Sequence, residues 1–272
     1  MKIFYWNNIL DFLNTGIQNS FFETGTGISI GSFDGIHKGH RVLLNKLVLN
    51  CKSNNLQSGV VTFTRPLPSI KHANDYCGDI SSLKQRLKIF ESLGVDFVII
   101  VDFDEEFSSQ LGADFLNILI NACNMELIAE GVDFRCGYKG ATDVQAINYF
   151  AEKNKIKTIF VEPVYYREGT DEEERISSSF IRDMITKGFF TTVADLLDRP
   201  YEIDLSDCKN EQHGTKIEIL GNEINQVIPS VGVYRVVDND NKDVRMEVKQ
   251  DKIVLKNVDG DKNHIVKSIL FK

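Results

Sequence analysis

The stretch Ile28–Leu44, ISIGSFDGIHKGHRVLL, constrains the fold more than any other part of the chain. Ile28 and Ile30 predict a short buried strand, a turn with two glycines follows, and helical spacing begins near Lys38. Glycines let a backbone approach a ligand closely, and the N–H groups and dipole of a helix start favour anionic oxygen. The stretch therefore predicts a phosphate-binding turn between a strand and a helix.

Two histidines make this prediction more specific. His37 and His40 flank Gly39 across the predicted helix start. Imidazoles at this place can donate hydrogen bonds to a phosphoryl group under attack, which is the stabilisation that nucleotidyl transfer requires. The glycine spacing differs from that of the dinucleotide fingerprint, and the Gly-Lys-Ser/Thr of a Walker loop does not follow. A single histidine at a helix start is usually a cap, so the prediction depends on the whole pattern G-x-F-D-G-x-H-x-G-H.

A second candidate phosphate site lies in the segment Arg175–Arg182, RISSSFIR. Ser177, Ser178 and Ser179 either cap a helix or present hydroxyl and N–H groups to a triphosphate. Arg182 is either an exposed helical arginine or the cation that neutralises a leaving pyrophosphate. The residue types alone favour neither interpretation.

Composition excludes several classes of function. The 272 residues carry 31 basic and 39 acidic side chains, a formal net charge of −8. We therefore expect no nucleic-acid partner and no anionic membrane partner. The five cysteines are odd in number and lack C-x-x-C spacing, no secretory signal is visible, and no apolar run approaches the ~20 residues of a membrane span. We expect a cytoplasmic protein.

Hydrophobic strands alternate with amphipathic helices through the first two hundred residues, which predicts a mostly parallel sheet with helices on both faces. Because such sheets bind ligands beyond the carboxyl ends of their strands, the polar segments that follow the strands predict one shared cleft. From Tyr201 onwards, short β-like runs separated by turn signals predict a small antiparallel β unit. We assign residues 1–200 to an α/β domain and residues 201–272, called here the β module, to a second domain.

The first motif resembles that of the HxGH nucleotidyltransferases, above all the FMN adenylyltransferase half of bacterial FAD synthetases, whose motif reads G-N-F-D-G-x-H-x-G-H. The second motif resembles the family's I-S-S-T-x-I-R, with Ser179 in place of Thr. Residues 131–137 resemble its G-x-D-F-R-F-G, with Cys136 where the family has Phe. Thr62–Pro68 resembles its Thr-Phe strand end but lacks the histidine of that segment, and Ser32 replaces Asn. These departures leave a different acceptor open.

The resemblance implies a Rossmann-like sheet and a transferase of FAD biosynthesis, an FMN adenylyltransferase that converts ATP and FMN into FAD and pyrophosphate. Mg²⁺ would be held mainly by substrate phosphates, without a protein metal site, and Asp34 and Asp133 would contact ribose or metal-bound water. The resemblance assigns His37, His40 and Arg182 to catalysis; Gly31, Ser32, Phe33, Asp34, Gly35, Gly39, Ser177, Ser178 and Ser179 to the nucleotide; and Phe63, Arg65, Asp133, Phe134 and Arg135 to the flavin.

The β module resembles the family's second half only faintly. In bifunctional FAD synthetases a riboflavin kinase barrel with a Pro-Thr-Ala-Asn signature follows, but residues 201–272 lack that signature and Thr215 is their only threonine. The segment Pro229–Tyr234 resembles the family's Gly-Val-Tyr strand. We predict a truncated module without kinase activity that braces the catalytic domain or mediates self-association. Two alternatives stay open: an HxGH transferase with another phosphorylated acceptor, and a flavin- or nucleotide-binding protein that has lost catalysis.

Overall fold

Strands and helices alternate through much of the chain, as the hydrophobic pattern predicts. The computed structural model describes residues 1–15, 21–67, 69, 76–209, 211–256 and 266–271. Residues 1–33, 39–71 and 87–164 form the first unit, and residues 34–38, 72–86 and 165–272 form the second unit. The assignment of residues 1–200 and 201–272 to separate domains stays a prediction.

The elements up to residue 161 belong mainly to the first unit, although the helices α2 and α3 begin within residues of the second. The strands are β1 (Lys2–Tyr5), β2 (Thr26–Ile30), β3 (Gln57–Phe63), β4 (Phe97–Val101), β5 (Met125–Gly131), β6 (Arg135–Cys136), β7 (Thr142–Asp143) and β8 (Lys157–Val161). The helices are α1 (Trp6–Asn14), α2 (Lys38–Ser53), α3 (Leu83–Ser92), α4 (Glu105–Ser109), α5 (Gly112–Cys123) and α6 (Val144–Asn154).

Six strands of the first unit form a parallel sheet in the order β1-β4-β3-β2-β5-β8. The chain adds β3 and β4 on one side of β2 and β5 and β8 on the other, so the strand order reverses between β2 and β5. Ligands of open α/β sheets bind beyond the carboxyl ends of the strands at such a reversal. Every residue of β2 and β4 is buried, as expected for central strands of a sheet covered on both faces.

The strand β1 is not visible in the sequence pattern. It has only four residues, and it pairs with β4 at the edge of the sheet. Ile3 and Tyr5 are 46% and 55% exposed there. Because an edge strand keeps one side open to solvent, it needs no continuous hydrophobic run of the kind that marks β4.

From residue 165 onwards, the described part of the second unit forms two short strands, two α-helices and the strands of the β module. The elements are β9 (Tyr165–Tyr166), β10 (Glu174–Arg175), α7 (Ser178–Thr186), α8 (Phe190–Leu197), β11 (Glu202–Asp204), β12 (Glu211–His213), β13 (Lys216–Leu220), β14 (Gly232–Asp238), β15 (Asp243–Val248), β16 (Lys252–Lys256) and β17 (Ser268–Phe271). The last seven strands form one antiparallel sheet in the order β11-β17-β14-β15-β16-β13-β12. The predicted fold class, a parallel α/β sheet followed by antiparallel strands, is confirmed.

Aromatic side chains join α8 to the β module. Phe190 of α8 stacks on Phe271 of β17 with 3.9 Å between ring centroids, and Tyr201 stacks on Phe190 at 6.2 Å. The hydroxyl of Tyr201 donates a hydrogen bond of 2.7 Å to the carbonyl of Val227. Within the second unit, this helix and these strands therefore share one packed core. Among the described residues, no helix has the length and apolar character needed to cross a membrane.

Candidate functional site

Asp34, the aspartate of the first motif, accepts hydrogen bonds from a second segment of the second unit. The backbone N–H groups of Ile80 and Ser81 donate to its Oδ1 at 2.9 and 3.1 Å. The guanidinium of Arg182 forms an ion pair with its Oδ2. Asp34 is 2% exposed. Burial raises the pKa of its carboxyl, while Arg182 and the two backbone N–H groups oppose that shift.

Arg182 lies one turn along α7 and is buried, with 7% of its surface exposed. Its Nε donates to the carbonyl of Gly78 at 2.8 Å, and its Nη2 lies 3.1 Å from the hydroxyl of Tyr76. The guanidinium also lies 4.8 Å from the centroid of the Tyr76 ring. The interpretation of Arg182 as an exposed helical arginine is therefore wrong. We call Asp34, Tyr76, Asp79 and Arg182 the charged cluster.

Tyr76 contributes a neutral hydroxyl to this cluster. Burial raises the pKa of the Tyr76 phenol, and the nearby Asp34 adds to that shift. The hydroxyl donates to Oδ1 of Asp79 at 2.7 Å. A phenol that keeps its proton adds no charge of its own to the cluster, and the buried Arg86 interacts electrostatically with Asp34, Asp79 and Tyr76.

The three serines of the second motif have different surroundings, and the first of them caps the helix. Ser177 is the N-cap of α7, and its hydroxyl accepts a hydrogen bond of 3.2 Å from the N–H of Phe180. Ser178 donates its hydroxyl proton to the carbonyl of Asp34 at 3.1 Å. Ser179 is exposed at the first turn of the helix. The two sequence motifs thus contact each other through Ser178 and Arg182, both of which contact Asp34.

The turn that contains His37 is held from several elements of the second unit. Gly35 has a φ of +80°, its N–H donates to Oγ of Ser81 at 3.0 Å, and its carbonyl accepts from Arg199 at 2.7 Å. Lys38 forms an ion pair with Asp195 of α8. A Cβ at Gly35 would lie 2.9 Å from the side chain of Ile80, so glycine serves both the positive φ and the close packing. His37 itself is only 6% exposed.

His40 belongs to the first unit and packs edge-on against Phe33, with 5.2 Å between ring centroids. The Phe33 ring also packs against Phe90, and Phe33 has a positive φ of +47°. Burial lowers the pKa of His40 to about 4. The imidazole is therefore neutral near pH 7, and a neutral imidazole donates one hydrogen bond.

A cavity of about 630 Å³ opens at the carboxyl ends of β2, β3 and β5 in the first unit. Its walls are mainly apolar and rich in aromatic rings. They include Ile30 and Gly31 after β2, Phe63 at the end of β3, the side chains of Phe103, Phe107 and Phe115, and residues 134–140 after β5. We call this space the aromatic cavity. It lies where the strand order reverses, at the place that open α/β sheets use for ligands.

The phenylalanines of the cavity pack against one another edge-on. Phe63 lies 5.7 Å from Phe103 and 6.0 Å from Phe107, and Phe103 lies 5.8 Å from Phe107. Edge-to-face contacts of this kind fix the ring positions and leave flat apolar surface for a ligand. Gly137 is also part of the wall. Its φ is +74°, and a Cβ there would lie 2.4 Å from the backbone nitrogen of Gly112, so both the conformation and the packing favour glycine.

A buried carboxyl joins the two strands at the reversal. Oε1 of Glu130 accepts a hydrogen bond of 2.6 Å from the N–H of Ile30. Burial raises the pKa of Glu130 well above that of an ordinary glutamate, which favours its protonated form. Burial likewise raises the pKa of Cys136, which lines the cavity, to about 12. Burial therefore favours the neutral forms of Glu130 and Cys136, whereas Arg135 and Lys139 supply the basic side chains that line the cavity.

Known proteins match the chain over the residues described above. A family model described as FAD synthetase matches residues 21–180, more than half of the chain. The chain belongs to the FAD synthetase family. The match includes the first motif, residues 31–40, the aromatic cavity and the start of α7. It confirms the family resemblance seen in the motifs.

Three relatives carry the name bifunctional riboflavin kinase/FMN adenylyltransferase. The protein of Buchnera aphidicola (subsp. Schizaphis graminum) is 29% identical over 205 residues, which covers 74% of this chain and 63% of the relative. That of Listeria monocytogenes is 28% identical over 216 residues, covering 77% and 66%, and that of Escherichia coli K12 is 27% identical over 224 residues, covering 79% and 68%. The chain spans less than two thirds of the length of the first two relatives.

A solved structure extends the likeness to the whole fold. The crystal structure titled as a macrolide-efflux protein from Streptococcus pneumoniae superposes with a TM-score of 0.76 and covers 100% of this chain and 90% of the other. The sequences are 19% identical, so the comparison shows a shared fold alone.

The residues assigned to the flavin by family resemblance fall into two groups. Phe63, Phe134 and Arg135 line the aromatic cavity. Arg65 and Asp133 are exposed and are not among the residues that line it. Arg135 donates to the carbonyl of Gly140 at 3.0 Å, across the loop between β6 and β7.

The residues assigned to the nucleotide occur in both units. Gly31 lines the aromatic cavity, and Oγ of Ser32 accepts a hydrogen bond of 3.1 Å from the N–H of Leu67. Gly31, Ser32, Phe33 and Gly39 belong to the first unit, as does His40. Asp34, Gly35 and residues 177–179 belong to the second unit, as does His37. Residues 68 and 70–75, which include the end of the Thr-Phe segment and His72, lie outside the described residues.

Sequence reasoning did not select several residues that the structure brings to these places. Phe103 lies within residues 102–104, the polar segment after β4 that was expected at the shared cleft, whereas Phe107 lies beyond it in α4, and neither stands in a motif. Tyr76 and Arg199 contact Arg182 and Gly35 from distant parts of the chain. No local spacing predicts such contacts, since they arise only when the second unit folds.

Among the described residues, no group of three or more His, Cys, Asp or Glu side chains is arranged to hold a metal ion. Mg²⁺ binds readily through phosphate oxygens and water with few protein ligands.

Proposed function

We propose that this chain is an FMN adenylyltransferase, which transfers the adenylyl group of ATP to FMN and releases pyrophosphate. The observation that carries the proposal is the aromatic cavity, at the strand reversal of a chain that belongs to the FAD synthetase family. Its relatives named bifunctional riboflavin kinase/FMN adenylyltransferase support the same reaction.

The chemistry of the cavity favours a flavin among phosphorylated acceptors. Flat faces of Phe63, Phe103 and Phe134 suit a planar tricyclic ring, which they would hold by apolar area and ring stacking. An acceptor without a ring, such as glycerol 3-phosphate, would leave these walls unfilled. Arg135 at the rim is a cation suited to the FMN phosphate.

The residues of the two motifs would bind the polyphosphate. Arg182, together with Ser178 and Ser179 at the start of α7, would neutralise the β- and γ-phosphates. The backbone of Gly31, Ser32, Phe33, Gly35 and Gly39 would allow the close approach of phosphate oxygens. The ion pair of Arg182 with Asp34 fixes the guanidinium before ATP arrives, which lowers the entropy cost of binding. This contact makes Asp34 a positioning residue, whereas exposed Asp133 stays a candidate for ribose or metal-bound water.

In the proposed reaction, an oxygen of the FMN phosphate attacks the α-phosphorus of ATP, and the bond from that phosphorus to the bridging oxygen of pyrophosphate breaks. His37 and His40 would donate hydrogen bonds to the α-phosphoryl oxygens, where charge develops. Mg²⁺ bound to the phosphates would neutralise charge on the leaving pyrophosphate. FMN supplies the nucleophile, so the chain needs no nucleophilic serine or cysteine.

The β module would not phosphorylate riboflavin. Residues 201–272 lack the Pro-Thr-Ala-Asn signature, and Thr215 is their only threonine. We also propose a cytoplasmic location, supported by five cysteines that are all free thiols. Self-association through the β module is supported by Val231 and Val233, which are 68% and 53% exposed, and sedimentation of the purified chain would measure it.

The test is to incubate the purified chain with FMN and Mg-ATP and to measure FAD by chromatography. We expect FAD and equimolar pyrophosphate. His40→Ala should reduce turnover about a hundredfold, the effect of one lost transition-state donor, with an unchanged melting temperature. Parallel incubations replace FMN with riboflavin, phosphopantetheine or glycerol 3-phosphate, and each should give no product.

Three outcomes would contradict the proposal in different ways. Pyrophosphate release with another acceptor, but not with FMN, would make the chain a different HxGH transferase. Tight binding of FMN and ATP without product would identify a binding protein that has lost catalysis. Conversion of riboflavin into FMN would show that the chain has riboflavin kinase activity.

A further inference from the structure

We propose that the β module positions the charged cluster, and that Gln226 is the residue through which it acts. The inference rests on the proposed function, since that function makes Asp34 and Arg182 part of the ATP site. It goes further because it gives residues 201–272 a role in nucleotide binding that does not depend on kinase chemistry. All the contacts involved lie within the second unit.

Gln226 lies between β13 and β14 and is 4% exposed. Its Nε2 donates to the carbonyls of Ile80 and Glu202 at 3.0 and 2.8 Å and lies 3.1 Å from Oε1 of Gln85. Its Oε1 accepts a hydrogen bond of 2.7 Å from the N–H of Asp204. A buried amide with both ends satisfied holds its neighbours in one arrangement, because any displacement leaves a polar group unpaired.

The backbone next to Gln226 reinforces this contact. The N–H of Asp79 donates to the carbonyl of Asn225 at 2.8 Å, and the N–H of Val227 donates to the carbonyl of Asp79 at 2.9 Å. These two bonds form a parallel bridge between Asp79 and Gln226. Ser82 adds a hydrogen bond of 2.8 Å from its hydroxyl to Asp204.

The segment 78–81 is held by the β module on one side and holds the charged cluster on the other. Its carbonyl at Gly78 accepts from Arg182, and its N–H groups at Ile80 and Ser81 donate to Asp34. Oγ of Ser81 also accepts from Gly35, next to the histidine motif. The contacts of this segment with the charged cluster therefore depend on its position, which Gln226 fixes together with the backbone bonds of Asp79 and the hydroxyl of Ser82. Such a series of contacts holds ligand-binding groups in position through the residues that support them.

The experiment compares Gln226→Met with Gln250→Met in the full-length chain. Methionine keeps the volume of glutamine and removes its hydrogen bonds. Gln250 is exposed between β15 and β16 and gives the matched control. For Gln226→Met we expect a KM for ATP and a Kd for pyrophosphate about tenfold higher, with the Kd for FMN unchanged because the aromatic cavity lies in the first unit. Gln250→Met should match the wild type in all three constants.

Amide hydrogen exchange provides a readout that does not depend on activity. Peptides that cover residues 76–86 and 177–186 should exchange at least tenfold faster in Gln226→Met than in Gln250→Met. Ser82→Ala, a milder change at the same contact, should shift both readouts in the same direction by a smaller factor, and it serves if Gln226→Met does not fold. Wild-type exchange and pyrophosphate affinity in both Gln226→Met and Ser82→Ala would overturn the inference. A wild type that makes no FAD would instead overturn the proposed function, while the exchange rates would still decide the positioning role.

Discussion

The aromatic cavity of the first unit and the charged cluster of the second use opposite physical chemistry. The cavity has walls of phenylalanine, and its titratable neighbours Glu130 and Cys136 have pKa values raised by burial, which favours their neutral forms. The cluster contains a buried ion pair between Asp34 and Arg182, surrounded by backbone hydrogen bonds. Apolar walls bind a ring through the area that they cover, whereas an arginine held in a network recognises phosphate oxygens.

The difference has a consequence for stability. A half-buried ring of the cavity wall, such as that of Phe103, carries no charge and leaves only uncharged neighbours behind when it is removed, so we expect a smaller loss of stability there. A buried ion pair that loses one partner leaves an uncompensated charge, which costs far more than the pair itself contributes. We therefore expect substitutions in the cluster to affect folding most, and substitutions in the cavity to affect flavin binding most.

Arg182→Ala is the strongest test of this contrast. It would leave the carboxyl of Asp34, 2% exposed, with backbone N–H groups as partners but without the guanidinium that forms an ion pair with it. Breaking a buried pair in this way costs about 3–5 kcal/mol. We expect urea unfolding to show a loss of that size in the free energy of unfolding.

Arg175→Ala provides the control for this measurement. Arg175 precedes Arg182 in the same motif but is exposed, and substitutions at exposed sites usually change stability by less than about 0.5 kcal/mol. Arg182→Lys keeps the charge without the planar fork and should fall between the two. Equal stability of Arg182→Ala and Arg175→Ala would show that the buried ion pair stabilises the fold no more than an exposed arginine does. Substitutions in the cluster would then have no special effect on folding.

Much of the fold follows from the sequence for a physical reason. The central strands of a parallel sheet are buried on both faces, so β3 and β4 appear as hydrophobic runs, and α5 and α6 begin and end where their apolar period does. The edge strand β1 has no such requirement, and the pattern does not reveal it. The predicted antiparallel tail is also visible, because turn residues separate its short runs.

The candidate site was predictable only in part. The glycines, histidines and Arg182 stand in motifs whose spacing is visible in the sequence, and Gly35 has the positive φ that favours glycine. The partners that hold them, such as Gly78 and Gln226, act through tertiary contacts and have no local signature. The aromatic cavity is assembled from phenylalanines on separate elements, so composition does not distinguish them from ordinary core residues.

His40→Gln sharpens the comparison, because it tests whether the first unit excludes charge from a motif residue. Burial lowers the pKa of His40 to about 4, against about 6.5 for a histidine in an unfolded chain. Between these values the unfolded chain binds a proton that the folded chain does not, so wild-type stability falls as the pH decreases through that window. The loss is at most about 1.4 kcal/mol per pH unit, or roughly 2 kcal/mol from pH 6.5 to 5.

The measurement is urea unfolding of the wild type and His40→Gln at several values between pH 7 and 5. Glutamine does not titrate, so the variant should lose less stability on acidification, and the two curves should separate below pH 6.5. Parallel curves would show that His40 accepts a proton in the folded chain as readily as in the unfolded chain. His40 would then be able to carry a charge in the folded chain, as the ionic groups of the charged cluster do.

Phe103→Ala has the smallest expected effect and tests the division of ligands between the two regions. The Phe103 ring packs against Phe63 and Phe107 in the cavity wall, and aromatic pairs contribute about 0.5–1.5 kcal/mol beyond the area that they bury. Because about 1.4 kcal/mol corresponds to a factor of ten, the Kd for FMN should rise up to about tenfold while the Kd for pyrophosphate stays unchanged. Titration calorimetry with each ligand measures both constants, and Phe189→Ala, at a ring that is 54% exposed in the second unit, is the control. A matching loss of pyrophosphate affinity in Phe103→Ala would mean that the cavity serves both ligands, and the contrast between apolar and charged regions would no longer describe how the proposed substrates are divided.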